Sequence, residues 1–461
     1  MVGETAASTP ATRNGVGRCR IVAASSAILV ALAGLVAAAW LQRSSAEETA
    51  HGRVWTLLDE RVVHHRYVSV YDRRYRSPDG IEMSFDVIGN PRIEGFQVVV
   101  VAPVLEGGGQ PHFAMVREFA SGTGAYHHGL PTGGVDRGET PLTAAARELA
   151  EETGLTCASI LPLLPEGHPG LLETKWSRHR FVPYLALRCN TLDGQGQELN
   201  LEEVGLEWFR TSIAQALQHL RSGDMLLASA ATLRLALERL AYLGRESSRS
   251  LELLADTNPS GNVAASPRSW TLLENRSLYS RHLEVHDYKY RSPDNREVQF
   301  DVVLHPRLQN GLFVVVCPVF DTGDNGQLVF GMIREFAAGS GSYHLAVPTG
   351  GVDNGETAAE AAARELAEEA GLSAAKIVPL LPEGHPGSIE LKRSAIRFLP
   401  FLALGCKANT RPDLQSDPEE AGLEVLRVDD VWQYLRSGVM LLPSALTMHL
   451  ATEWIADHIA P

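Results

Sequence analysis

The sequence predicts a mixed α/β protein of two repeated halves, each opening with a small β-rich subdomain, behind one N-terminal membrane-spanning helix. Three observations predict it. WTLLDERVVHHRYVSVYDRRYRSPDG at Trp55 returns as WTLLENRSLYSRHLEVHDYKYRSPDN at Trp270. MVREFASGTGAYHHGLPTGGVDRGET at Met115 returns as MIREFAAGSGSYHLAVPTGGVDNGET at Met332, and Ile21 to Leu41 is apolar and uncharged. Self-similarity at so long a period fixes architecture before any single residue is interpreted.

The apolar stretch, residues 21–41, would make a helix of about 31 Å, which matches a bilayer core. Residues 1–20 form a tail in which Arg13, Arg18 and Arg20 precede that span. The positive-inside rule then places the tail in the cytoplasm and both halves across the membrane. A cleaved secretory signal, with small residues near Ala37 to Ala39, and an organelle presequence are the alternative readings of the same segment. The expected localisation is a single-pass membrane protein.

A chain of 461 residues exceeds one ordinary core, and 44% hydrophobic with 21% charged residues is globular composition. The formal charge of -14, with no cluster of Lys and Arg, argues against a nucleic-acid partner. An anionic substrate would therefore need a bridging cation. Cys19, Cys157, Cys189, Cys317 and Cys406 form no C-x-x-C pair and read as small buried hydrophobes.

The first half spans residues 52–244 and the second 268–461, joined by a linker, 245–267, that contains SSRS and NPSGN. Within each half, β-rich runs and a YRSPD turn lead through strands to one strong helix, further strands and a C-terminal helical stretch. The repeat offset changes by two residues in a Gly-rich loop, EGGGQ against DTGDNGQ, which lies between apolar runs and so reads as a hairpin tip.

The strong helix follows PTGG. Thr140 is its N-cap, Pro141 its first residue and Gly154 its C-terminal cap, while Leu142, Ala145, Ala146 and Leu149 make an apolar stripe. Glu148, Glu151 and Glu152 share a face beside that stripe. Carboxylates so close repel one another, so the pattern calls for a hard cation, and Mg²⁺ or Mn²⁺ fits. Arg147 is placed to pair with Glu139 or Glu151. A solvated acidic face is the alternative, but the second half keeps the spacing in Gly350, Glu356, Arg364, Glu365, Glu368, Glu369 and Gly371. There Thr357 and Glu360 add a capping box.

Both Gly133 to Leu155 and Gly350 to Leu372 match G-x5-E-x7-R-E-U-x-E-E-x-G-U, with U aliphatic, and so resemble the Nudix box at every defined position. The resemblance implies two α/β/α sandwich domains that hydrolyse a nucleoside diphosphate linked to another moiety and release a nucleoside monophosphate. It assigns Glu148, Glu151, Glu152, Glu365, Glu368 and Glu369 to metal binding, with Glu148, Glu152, Glu365 and Glu369 catalytic through it. Arg147, Arg364, Glu139 and Glu356 would support them. It also implies a general base outside the box, placed at Glu203 beside Glu202 and at Glu420 beside Glu419, an exposed acidic loop being the alternative.

Trp55 to Asp86, Arg117 to Phe119 and HPGLLE at His168, with Arg334 to Phe336 and HPGSIE at His385, further resemble ADP-ribose and nucleotide-sugar pyrophosphatases. That resemblance assigns Arg117, Arg334, Gly133 and Gly350 to substrate binding, the alternative for the arginines being surface ion pairs. It also implies an internal pseudo-dimer in which the halves exchange their N-terminal sheets. Tyr126, His127 and His128 correspond to Tyr343, His344 and Leu345, so the two pockets are expected to differ. The rival functional class is a membrane-tethered module that binds nucleotide or RNA without turnover.

Overall fold

The computed structural model describes residues 54–105, 111–191, 205–246, 269–306, 308, 311–321, 328–409, 420–427 and 431–459. The tail and anchor assigned to residues 1–41 lie outside these, as do Glu202, Glu203 and Glu419. Among the described residues no helix is long and apolar enough to cross a membrane.

In the first half β1 (Thr56–His65), β2 (Ser69–Arg76) and β3 (Glu82–Gly89) form an antiparallel three-stranded sheet. A larger sheet holds β4 (Gln97–Leu105), β5 (His112–Ala120), β6 (Ala125–Gly129), β7 (Thr132–Gly134), β8 (Leu155–Pro162), β9 (Leu171–Leu172), β10 (Arg180–Thr191) and β11 (Glu207–Ser212). Its main path is β11-β5-β4-β10-β8, with β4 and β10 parallel and the remaining ladders antiparallel. Helices α1 (Pro141–Thr153), α2 (Ile213–Arg221) and α3 (Leu227–Glu246) complete the half. The last of these continues into the segment read as linker.

The run VVVVAPVL has no polar alternation because β4 is covered on both faces. Val99 and Val101 pack with Ala145 and Leu149 of α1, whereas Val100, Ala102 and Val104 pack with Leu227 and Leu233 of α3. The layers are therefore helix, sheet, helix. The second half repeats them with α4 (Ala358–Ala370), α5 (Val431–Arg436) and α6 (Leu442–His458), and its strand Leu312–Asp321 lies parallel to Arg397–Leu404.

Two sequence expectations need correction. Leu142 is 48% exposed, and the buried face of α1 is Ala144, Ala145, Glu148, Leu149, Glu152 and Thr153. Small alanines let the helix lie close to the sheet on a face rotated from the expected stripe, so two carboxylates are buried rather than flanking. The cysteines are not all free either: Cys157 and Cys189 face each other across β8 and β10 and form a disulfide. Their counterparts are Ala374 and Cys406, so Cys406 remains a buried thiol, as does Cys317.

Each small sheet packs on the opposite half. Trp55 stacks on Phe336 at 4.3 Å, and Trp270 stacks on Phe119 at 4.4 Å. Such pairs contribute about 0.5–1.5 kcal/mol each beyond the area they bury. Tyr75 donates to the Ala338 carbonyl at 3.1 Å, and Tyr290 donates to that of Ser121 at 2.9 Å. Between the sheets, Arg66 pairs with Asp287 and Asp301, while Arg281 pairs with Asp72 and Asp86. Helices α3 and α6 share one core cluster that spans both halves. The halves are thus related by a pseudo-two-fold pairing, and neither N-terminal sheet buries its apolar face within its own half alone.

On this interface Glu390 is 1% exposed and accepts from Thr174, Trp176 and Ser394, while Glu173 is fully buried 3.6 Å from His179 Nδ1. Burial first, and then the nearby Glu173 carboxyl, pushes Glu390 up to about 8 against those three hydrogen bonds. A carboxyl raised from about 4.5 to about 8 is protonated in the folded state across that window. Its contribution is therefore full below pH 4.5 and is lost as pH rises toward 8. We predict that Glu390→Gln flattens this decline and raises Tm at pH 8.5 by about 3 °C or more relative to wild type. Thermal melts from pH 5 to 9 with parallel curves for the two proteins would refute it.

Candidate functional site

Helix α1 begins and ends where its sequence says it should. Thr140 accepts from Thr143 N, Pro141 occupies the first turn, and Gly154 takes the left-handed conformation at φ 66°. Helix α4 is capped by Thr357 with the reciprocal Glu360 contact and by Gly371 at φ 63°. These caps fix where each helix begins and ends, and the packing of Ala144, Ala145, Ala361 and Ala362 in the core sets which way the carboxylates face.

Arg147 organises them. Its guanidinium donates to both Glu139 oxygens at 3.1 and 3.0 Å, to Glu148 at 2.7 Å, to Glu151 at 3.1 Å and to the Gly134 carbonyl at 2.9 Å. Glu152 turns the other way and accepts from Thr132 N at 3.1 Å. Hydrogen bonding to Arg147 holds the Glu139 carboxyl below its ordinary value. In the second half Arg364 makes the same five contacts with Glu356, Glu365, Glu368 and Gly351, and Glu369 accepts from Thr349 N at 2.7 Å. There burial pushes Glu365 up while Arg364 opposes the shift.

One guanidinium against three carboxylates, with Glu152 close behind, leaves a negative excess in partly dehydrated surroundings. The box glycines make the crowding possible. A Cβ on Gly133 would overlap the Glu148 carboxyl, and one on Gly350 would overlap that of Glu365. Oxygen-only donors, clustered on a rigid helix and in charge excess, fit a hard divalent cation.

Beside α1 lies a cleft of about 310 Å³. Gly133, Glu148 and Glu151 form one wall; Lys392 and Arg393, which belong to the second half, form part of another. Lys392 donates to Glu118 of β5 at 3.0 Å. Burial works to discharge this ammonium, but Glu118 and Glu152 together hold its pKa above the ordinary value. Arg393 lies over the Tyr67 ring at 3.6 Å. The reciprocal contact in the second half is Lys175 to Glu335.

Not every candidate reaches this cleft. The Arg117 guanidinium sits over the Tyr126 ring at 4.5 Å, and the next residue, Glu118, lines the cleft instead. Alternation along β5 sends neighbouring side chains to opposite faces. Arg334 occupies the matching strand position, with Leu345 opposite it in the register. Glu420 opens a strand, Glu420–Arg427, and is opposite Glu335 in the ladder. Sequence reasoning did not single out Lys392 and Arg393, although the HPGSIE element that precedes them was visible. Two basic residues after a turn carry no sign of which half they will serve.

Residues 95–226 and 310–440 match the family model described as NUDIX domain. A curated relative, an RNA pyrophosphohydrolase of Mesorhizobium japonicum, is 49% identical over 49 residues, which is 11% of this chain and 27% of that protein. Nudix hydrolase 25 of Arabidopsis thaliana is 37% identical over 65 residues, 14% of this chain and 32% of that protein. The chain thus spans about a third or less of the length of these relatives. A solved structure described as an ADP compounds hydrolase aligns with 43% of this chain and 100% of its own, at 20% identity and TM-score 0.36.

Proposed function

The chain belongs to the Nudix family, its two matches covering more than half of its length, and on that premise we propose that it hydrolyses the pyrophosphate bond of a nucleoside diphosphate joined to another moiety. ADP-ribose or a nucleotide sugar is the proposed substrate class, and a nucleoside monophosphate the proposed product. The observation that supports this most is the cleft in which Glu148 and Glu151 face a space also bounded by Lys392 and Arg393.

A diphosphate is an anion with a chain of oxygens, so it needs positive charge on more than one side. Lys392 and Arg393 supply it from the second half, and Arg393 is held in place by Tyr67. Glu148, Glu151, Glu152 and their counterparts Glu365, Glu368 and Glu369 would hold Mg²⁺ or Mn²⁺. Such an ion would supply the charge that neutralises a diphosphate and the Lewis acidity that activates water. Arg147 restrains Glu148 and Glu151, the carboxylates that would hold the ion. Glu203 and Glu420 are proposed as the bases that take the proton from water. The proposed location is the membrane, through residues 21–41.

The full chain is expected to release AMP or UMP from diphosphate-linked nucleotides with Mg²⁺ and to lose that activity with EDTA. The same assay on Glu203→Gln should show a lower kcat. Tight nucleotide binding without products would favour the tethered binding module instead, and turnover unaffected by chelation would refute the metal assignment.

A further inference from the structure

The two halves surround corresponding spaces, but they do not leave them equally open. Around the second-half space lie Lys175, Glu335, Thr349 and Ser444, which are the repeat counterparts of Lys392, Glu118, Thr132 and Ser229 around the first. Four of the lining positions differ, Thr174 for Leu391 and Pro443 for Ala228 among them, and the other two bring aromatic rings into the second-half space. Val98 of the first cleft is replaced by Phe313, and Arg393 by Trp176.

The replacements meet each other. The Trp176 ring lies 5.4 Å from that of Phe313, which in turn lies 5.7 Å from Phe398 and 5.5 Å from His305. Trp176 is pinned at both ends: its indole donates to Glu390 at 3.1 Å, and its carbonyl accepts from Ile88 N at 2.8 Å. Among the described residues the inner part of this space, lined by Trp176, Phe313, Phe398 and Leu441, measures about 20 Å³, whereas the first-half cleft, which also reaches Gly133, Arg147, Glu148 and Glu151, measures about 310 Å³. That is room for about one water, whereas ligand sites run from about 300 Å³ upward. Exchange of Arg393 for an indole also removes a cation from the wall. The carboxylate clamp of Arg364, by contrast, is intact.

We infer that the sites are functionally unequal. The first-half cleft admits the nucleoside part of a substrate, and Trp176 with Phe313 are specificity-determining residues that close the second to it. This rests on the proposed nucleotide chemistry. The second half then has a further role, because its own Lys392 and Arg393 complete the open site.

Calorimetric titration of the full chain with ADP and Mg²⁺ tests it. Wild type is expected to bind one ADP per chain, and Trp176→Arg with Phe313→Val to bind two. In a Glu152→Gln background, turnover of ADP-ribose should fall to about 5% of wild type or less, then rise about tenfold when those two substitutions are added. If Trp176→Arg, which loses the bond to Glu390, does not fold, Phe313→Val alone reproduces the residue at Val98 and is expected to raise the stoichiometry above one. Two equal ADP sites in wild type, no ADP binding at all, or half the turnover surviving Glu152→Gln would overturn the inference. Binding of one ADP without turnover would sink hydrolysis and leave the inequality standing. Turnover with two equal sites would do the reverse.

Discussion

Glu148→Gln is expected to lower kcat for a diphosphate-linked nucleotide by about 10²-fold or more at saturating Mg²⁺, with Tm close to wild type. The reason lies in what the amide removes. Glu148 is 7% exposed and shares the Arg147 guanidinium with Glu151 and Glu139, so its charge is held rather than dispersed into water. An amide of the same shape keeps an oxygen for Arg147 and fills the same volume. It brings a neutral donor where a cation needs an anionic oxygen. The required Mg²⁺ concentration should rise together with the fall in kcat. A loss below about threefold, measured by product release over a Mg²⁺ series, would show that this carboxylate is not a ligand that matters.

Gly133→Ala should be nearly as damaging, by about 10–10²-fold, although it removes no charge. The added Cβ would occupy the place of the Glu148 carboxyl, which cannot retreat because Arg147 and the sheet enclose it. Backbone strain is not the cause, since Gly133 lies outside the left-handed region and the constraint is space. Gly350 stands in the same relation to Glu365. Wild-type activity and Mg²⁺ dependence in Gly133→Ala would mean that the carboxyl moves aside at no cost. Both glycines thus shape the metal clamp as well as the cleft wall.

Some of this was legible in residue order. Helix ends are local: a threonine, a proline and a glycine at fixed offsets satisfy the terminal backbone groups whatever surrounds them, so α1 and α4 start and stop where expected. The Arg147 network was foreseen in part, since residues three and four apart on a helix are neighbours. The buried face of α1 was misplaced around Leu142 because periodicity ranks apolar residues and not the fit of small ones against a sheet. The Cys157 to Cys189 bond was missed because it depends on strand register between distant segments.

The sequence was therefore enough to establish two copies of one mixed α/β module and a repeated carboxylate cluster, while the layers within each copy were implied by the resemblance to the Nudix box. The carboxylate cluster follows from side chains close together in sequence, and the two copies from the long-period repeat. Which half completes which cleft, and that Trp176 meets Phe313 in one cleft while Arg393 leaves the other open, emerged from the folded chain. Those pairings join residues far apart along the chain, brought together when each small sheet buries its aromatic face on the opposite half.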